Sequence, residues 1–337
     1  MIYIFLFFFL LLASLASRQY RRILFNVSFF ILLMLAAFRS YDIGTDTKTY
    51  SNMFNWINSG KASYIEGGWR ALNLAVGFLG MSYTGVLFVA ELLCLMPVCY
   101  VLKKSVRNIN FGLFIYYAMY LYLHSFNMIR QCIAMSICLL SYYFFMHKKM
   151  WKACLSFLLA FSFHSSALVF LAVFAIRFLS ISLFRCLLLL SVSYVLGLLF
   201  VDRFIYIVAG SYAGYLQGTD FGFREKSVSN IILCAVVNLF FVIFVMLKKS
   251  CLRKEAYWEK CLLLGLCCMN MTQTLVLGTR LMFYFTQAQC IFYPNYITSK
   301  RYDKKFLLFL LCVYFFANYI KILVAQWGFL MPYRFIF

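Results

Sequence analysis

Four short polar clusters interrupt an otherwise apolar chain, and each holds residue types that can do chemistry. The first reads Phe38-Arg39-Ser40-Tyr41-Asp42-Ile43-Gly44-Thr45-Asp46, runs on to Tyr50, and is followed by Glu66-Gly67-Gly68-Trp69. The second is His124-Ser125-Phe126-Asn127-Met128-Ile129-Arg130-Gln131, and the third is Phe163-His164-Ser165-Ser166. The fourth runs from Asn270, Thr272, Gln273 and Thr274 to Arg280, Tyr284, Gln287 and Gln289. A guanidinium offers a planar fork of donors that matches a phosphate or carboxylate group. A carboxylate or an imidazole can take the proton of an attacking hydroxyl. Arg39, Arg130 and Arg280 are therefore candidates for holding an anion. Asp46, Glu66 and His164 are candidates for the base.

Each cluster also has a purely structural reading. Gly44 permits a tight turn, after which Thr45 or Asp46 could cap a helix running through Tyr50 and Phe54. Arg130 could be a structural ion pair, but Arg130 and Gln131 run into an apolar helix. Polar side chains at such depth usually face a bundle interior or an aqueous path and are functional by default. A buried histidine is more often hydrogen-bonded structure than a catalyst, and the serine-rich hinge around His164 weighs the other way. Arg280, Tyr284 and Gln287 are spaced for one helix face, where interhelical hydrogen bonding is the alternative. Glu91 is a lone carboxylate mid-way along an apolar run with no assigned partner.

The elements that must position these residues follow from composition. Of 337 residues, 65% are hydrophobic and 12% charged, against roughly half and a quarter in a soluble domain. The net charge of +21 is carried by short basic clusters between apolar runs. That is the signature of positive-inside topology and headgroup attraction, so no nucleic-acid partner is expected. Apolar runs of spanning length lie at 2–17, 22–38, 82–102, 109–126, 129–146, 187–201, 229–247, 261–278, 281–298 and 306–325, with a further stretch at 153–176. Keeping every basic cluster in the cytoplasm requires either a re-entrant hairpin over 153–176, hinged at Phe163-His164-Ser165-Ser166, or a further crossing elsewhere, for instance through 203–216. The hairpin is the preferred reading, and it implies a cavity around His164, since re-entrant backbone is tolerated only in protein or around a water-filled cavity. The expected fold is all-α: a single polytopic transmembrane domain over 1–337, with about ten spanning helices plus that hairpin. Arg39 to Gly80 (39–80) and Asp202 to Val228 (202–228) form long outer loops, and most acidic residues fall in them.

Most of the thirteen cysteines lie within apolar runs, and none is spaced for a metal or a disulfide framework. No metal or cofactor is expected. With the three arginines near the outer face, the ligand expected from charge and depth is a lipid-linked diphosphate in the outer leaflet. If it is a leaving group, the same cations stabilise the charge that develops on it.

The order of these clusters resembles the EpsG family, relatives of Wzy-type polysaccharide polymerases. Phe38-Arg39 with Gly44-Thr45-Asp46 and Tyr50 is similar to the family's first outer loop. Asn127 to Gln131 followed by Ala134 resembles its Arg-Gln helix start. Lys148 to Lys152 and then Phe163-His164-Ser165-Ser166-Ala167 resemble its histidine hinge. Arg280 with Tyr284-Phe285, and Pro332-Tyr333, complete the pattern. The resemblance implies polymerisation of repeat units on an undecaprenyl diphosphate carrier, at the outer face of a bacterial cytoplasmic membrane. Asp46, His164 or Glu66 would be the catalytic base, and Arg39, Tyr50, Arg130, Gln131, Arg280 and Tyr284 would bind substrate. Its partners would be the undecaprenyl-diphosphate-linked glycan, membrane lipid and a chain-length regulator. The competing classes are a flippase of the same lipid-linked sugar, which should show internal symmetry, and a membrane O-acyltransferase with a cytoplasmic donor route to His164.

Overall fold

A computed structural model describes residues 2–61, 65–176, 180–199, 228–246, 253–273, 279–298, 304–324 and 328–337. In chain order the helices are α1 (Ile2–Leu15), α2 (Arg21–Ala37), α3 (Thr47–Asn58), α4 (Gly67–Phe78), α5 (Tyr83–Ser105), α6 (Ile109–Ala118), α7 (Ile129–Met146), α8 (Met150–Phe163), the short α9 (Ala172–Ala175) and α10 (Leu183–Leu199). They continue with α11 (Val228–Met246), α12 (Arg253–Met271), α13 (Thr279–Thr286), α14 (Gln289–Thr298) and α15 (Lys304–Val324). Among the described residues the only bridge of β type is the isolated antiparallel pair Arg39 and Phe335. The chain forms two compact units: Met1–Leu168 with Gln289–Phe337, and Val169–Ala288.

In the first unit α7 packs against α5 and α8, and α1 and α2 pack on α6 and α5. α5 and α7 are each long and apolar enough to cross a membrane, and shorter apolar helical stretches include Ile2–Leu15, Met150–Phe163 and Leu183–Leu199. Large apolar side chains stand exposed along α1, α2 and α8, among them Phe5, Phe30, Leu158 and Trp151, the last at 75%. Water tolerates few such patches, whereas a bilayer requires them. The all-helical, lipid-facing character is that of a membrane protein.

Two of the expected spans are not continuous. The run 109–126 ends as a helix at Ala118, turns through Tyr120 with φ of 65° and re-forms as a 3-10 turn over Leu123–Phe126. The run 281–298 is divided between α13 and α14 at Gln287 and Ala288. A hydropathy window registers apolar side chains and not a backbone turn made by apolar residues. The expected hinge at His164 is present: α8 stops at Phe163, His164 is extended with φ −159° and ψ 125°, and a 3-10 segment follows over Ser165–Leu171.

The segment between α2 and α5 is itself folded. Its helices α3 and α4 pack on each other, burying Tyr50 and Ile57 of one and Trp69, Leu72 and Val76 of the other, the spacing of an amphipathic face. The C-terminal residues lie along its start. Ser40 N donates to Arg334 O at 2.9 Å, Ile336 N to Phe38 O at 3.0 Å and Gly44 N to Phe329 O at 3.2 Å. Tyr333 Oη donates to Leu35 O at 2.7 Å. The loop 202–228, with Asp220, Arg224 and Glu225, lies outside the described residues apart from Val228.

Candidate active site

Glu66 stands just before α4, with φ −50° and ψ 135°, and its carboxylate does not cap that helix. It is turned instead towards two other elements. Oε1 lies 3.0 Å from Nδ1 of His164, the residue that ends α8. Oε2 is ion-paired with Nη1 of Arg130, in the first turn of α7. The approach that makes this possible depends on Gly68. A Cβ there would come within 2.9 Å of the Ser162 carbonyl, so only a bare backbone lets α4 close on the end of α8.

Burial works to raise the Glu66 carboxyl. The hydrogen bond from His164 and the charge of Arg130 outweigh it and hold the group at about 2 against an ordinary 4.5. Glu66 is therefore an ionised acceptor, and a carboxylate so acidic is a weak base near neutral pH. Its two oxygens are used to fix its neighbours. With Nδ1–H of His164 donated to Oε1, the other ring nitrogen, Nε2, keeps its lone pair. The His164 side chain is 27% exposed, so that nitrogen belongs to a group a substrate can reach.

Arg130 rests over the ring of Tyr50, 5.6 Å from its centroid, and Tyr50 meets Trp69 edge to face at 5.3 Å. Such a cation–π contact orients the guanidinium while leaving nitrogens free. Nε of Arg130 is buried without a hydrogen-bond partner. Asp46 lies at the N-cap position of α3, and its backbone carbonyl accepts from Tyr50 N at 2.9 Å. Its side chain makes no capping hydrogen bond. The capping role expected for that carboxylate is not the one it plays, because the backbone at Asp46 is αR while a side-chain cap needs extended backbone.

Arg39 is buried to 1%. Its Nη1 donates to Ala36 O and its guanidinium lies 4.4 Å over the ring of Phe126. Nε and Nη2 have no partner. The segment beyond it is pinned by Asn127, whose Oδ1 accepts from Thr45 N at 2.6 Å and from Thr45 Oγ1 at 3.1 Å. Gly44 has φ of +92°, and a Cβ there would strike the Phe126 carbonyl. Tyr83, at the start of α5, is buried with its hydroxyl unpartnered and packs on Tyr41 at 5.3 Å.

The fold thus brings together Glu66, His164, Arg130 and Tyr50, with Gln131 buried beside Arg130 in α7. Arg39 and Asp46 lie on the adjoining segment. Arg280 and Tyr284 belong to the second unit, on one face of α13. There Tyr284 is fully buried, 6.5 Å from Phe170. Residues 274–278 lie outside the described residues. Trp69 and Tyr83 were not among the expected site residues, and nothing local in the sequence distinguishes them from the chain's other aromatics.

A family model described as the EpsG family matches residues 22–335. No match to the chain was found among curated proteins or among solved structures.

Proposed function

The chain belongs to the EpsG family, a family of Wzy-type polysaccharide polymerases, and from that premise we propose that it joins lipid-linked oligosaccharide repeat units at the outer face of a bacterial cytoplasmic membrane. The single observation that carries this reading is the Glu66 carboxylate bridging His164 and Arg130. It couples a candidate base to a candidate phosphate-binding cation in one cluster.

In this reading the acceptor sugar hydroxyl lies against Nε2 of His164. Its proton passes to that nitrogen as its oxygen attacks the anomeric carbon of the growing chain. A new glycosidic C–O bond forms, the C–O bond to the carrier breaks, and the bonding electrons leave with undecaprenyl diphosphate. Glu66 stabilises the imidazolium that results, as an orienting carboxylate does in other base-activated sites. Arg130 and Arg39 offer donors to the diphosphate, where preorganised charge favours the transition state over the ground state. Arg280 and Tyr284, on α13, keep their proposed role as substrate-binding residues. The chemistry requires no metal or cofactor, and a chain-length regulator is a partner in the same reading.

The topology follows the same contact. Glu66 is in the segment read as outer, so the His164 hinge that touches it is read as facing that side too. α8 has 14 residues, about 21 Å at 1.5 Å per residue, short of a hydrocarbon core of about 30 Å. That length supports a helix that enters from the cytoplasm and stops at the hinge, within a multi-pass domain of about ten crossings. It also counts against the O-acyltransferase alternative, which needs His164 open to a cytoplasmic donor.

The test is conversion of lipid-linked repeat units to polymer, in membranes holding matched amounts of each variant. His164→Gln should fall by ~10²-fold or more, the usual worth of a general base. Asp46→Asn should stay within about tenfold of wild type. Full activity in His164→Gln with loss in Asp46→Asn would move the base to Asp46. In cells, loss of long chains with one repeat unit retained supports a polymerase, and loss of all surface glycan supports a flippase.

A further inference from the structure

Glu91 lies mid-way along α5, buried to 3%, and the reaction above does not use it. Its Oε2 stands 2.7 Å from Ser125 Oγ, and the same hydroxyl stands 2.8 Å from the carbonyl oxygen of Tyr122. A serine hydroxyl has one hydrogen, and a carbonyl oxygen can only accept. If that hydrogen goes to Tyr122, the second short contact needs a hydrogen of its own, and a protonated carboxyl is the group that can bring it. The rest of the surroundings agree. Oε1 of Glu91 has no hydrogen-bond partner. Among the described residues the ion pairs are Lys48 with Asp42 and Arg130 with Glu66, and His164 is hydrogen-bonded to that same Glu66, so no cation is in contact with Glu91. A buried carboxylate with one oxygen unsatisfied and no counter-ion in contact is far costlier than the neutral acid.

The titratable groups facing Glu91 are Arg39 from the segment after α2, Tyr116 of α6, Tyr122 of the turn that follows, and Cys94 and Cys99 of its own helix. Arg39 alone of these carries a charge at neutral pH. It is also the arginine whose Nε and Nη2 are buried and unpartnered.

We propose that Glu91 is held as a neutral carboxylic acid, and that its proton leaves the buried charge of Arg39 free for an anionic ligand of the phosphate class. An ionised Glu91 would offset Arg39 and weaken any anion bound there. Anion binding and Glu91 protonation therefore favour each other, because linkage between two sites is reciprocal. The coupling rests on the reading of Arg39 as a phosphate seat; the protonation of Glu91 does not.

Two measurements on the full chain in lipid vesicles separate these halves. Infrared spectra at neutral pH should show a carboxylic-acid carbonyl band in the wild type that is missing from Glu91→Gln. A wild type without the band, or a band that persists in the variant, overturns the neutral acid, and the wild-type spectrum decides this even if the variant inserts poorly. Polymer formation is then followed from about pH 7 to about pH 10. The wild type should fall about tenfold on the alkaline side, within the usual range of site coupling. Glu91→Gln, neutral at every pH, should keep its neutral-pH activity and lack that fall. An alkaline fall of equal size in both proteins, or an inserted but inactive variant, overturns the coupling. Loss of the coupling with the infrared band intact would count against the phosphate seat at Arg39 and leave the neutral acid standing.

Discussion

Replacing Glu66 by Gln tests whether the cluster works as a unit. The carboxylate has two acceptor oxygens, one 3.0 Å from His164 Nδ1 and one paired with Arg130. Both partners donate. A glutamine has one acceptor oxygen, and its other polar atom is an NH₂ group that can only donate. If the oxygen turns to Arg130, the NH₂ faces His164 and favours the tautomer with its proton on Nε2. That imidazole has no lone pair at the nitrogen assigned to the acceptor hydroxyl. The predicted loss is therefore that of the base itself, roughly 10²–10⁴ in rate, although Glu66 never takes the substrate proton. Polymer formation from lipid-linked units, with insertion matched between variants, measures it. The double variant with His164→Gln should be no worse than either single change, because residues that act as one device lose their function once. A wild-type rate in Glu66→Gln, or losses that multiply in the double variant, would refute the reasoning.

The same cluster has a stability signature whose sign is set by its pKa. The folded-state value of Glu66, about 2, lies below the ordinary 4.5, so the unfolded chain binds the proton more tightly. The stabilisation is fully present above about pH 5 and is lost as pH falls through the folded value. With the side chain 25% exposed, solvent screening reduces the contribution to roughly 1–3 kcal/mol. Thermal unfolding in detergent should show an acid-dependent loss in wild type that is smaller in Glu66→Gln. Equal acid dependence in the two proteins would remove Glu66 as its source.

Three other outcomes are expected. Arg130→Lys and Arg280→Lys should insert normally yet lose most polymerisation, since a lysine keeps the charge and not the fork; wild-type chain lengths on a gel would make both structural cations. Gly68→Ala should push α4 from Ser162 and part Glu66 from His164, lowering activity by ~10²-fold, whereas Gly67→Ala, where a Cβ meets nothing within 4 Å, should be nearly silent. In a background lacking native cysteines, a cysteine at Ser59 should react with an impermeant thiol reagent from outside and one at Ser105 should not. The reverse pattern would overturn the assigned sidedness.

Composition and periodicity were enough to assign an all-helical, lipid-facing chain. A content of 65% apolar residues with sparse charge admits few other ways of satisfying backbone hydrogen bonds. The polar interruptions were equally legible, because each stands out against its apolar flanks. Arg130 and His164 were found that way, and so was the end of α8 at Phe163. The partnership between them was not. Glu66 is 64 residues from Arg130 and 98 from His164, and sequence offers no signal for contacts at that distance when each residue looks ordinary in its own neighbourhood. For the same reason nothing in the sequence sets Glu66 apart from Asp46 and His164 as a base, while the fold turns its two oxygens to His164 and Arg130. Asp46 sits at the helix start its sequence suggests, but the local backbone denies its side chain the cap. The burial of Arg39 against Phe126 and the pairing of its segment with residues 334–336 likewise join parts of the chain far apart in sequence. Residue type determined what each group could do; tertiary packing decided which groups could act together, because protonation and orientation are set by the atoms within a few ångströms.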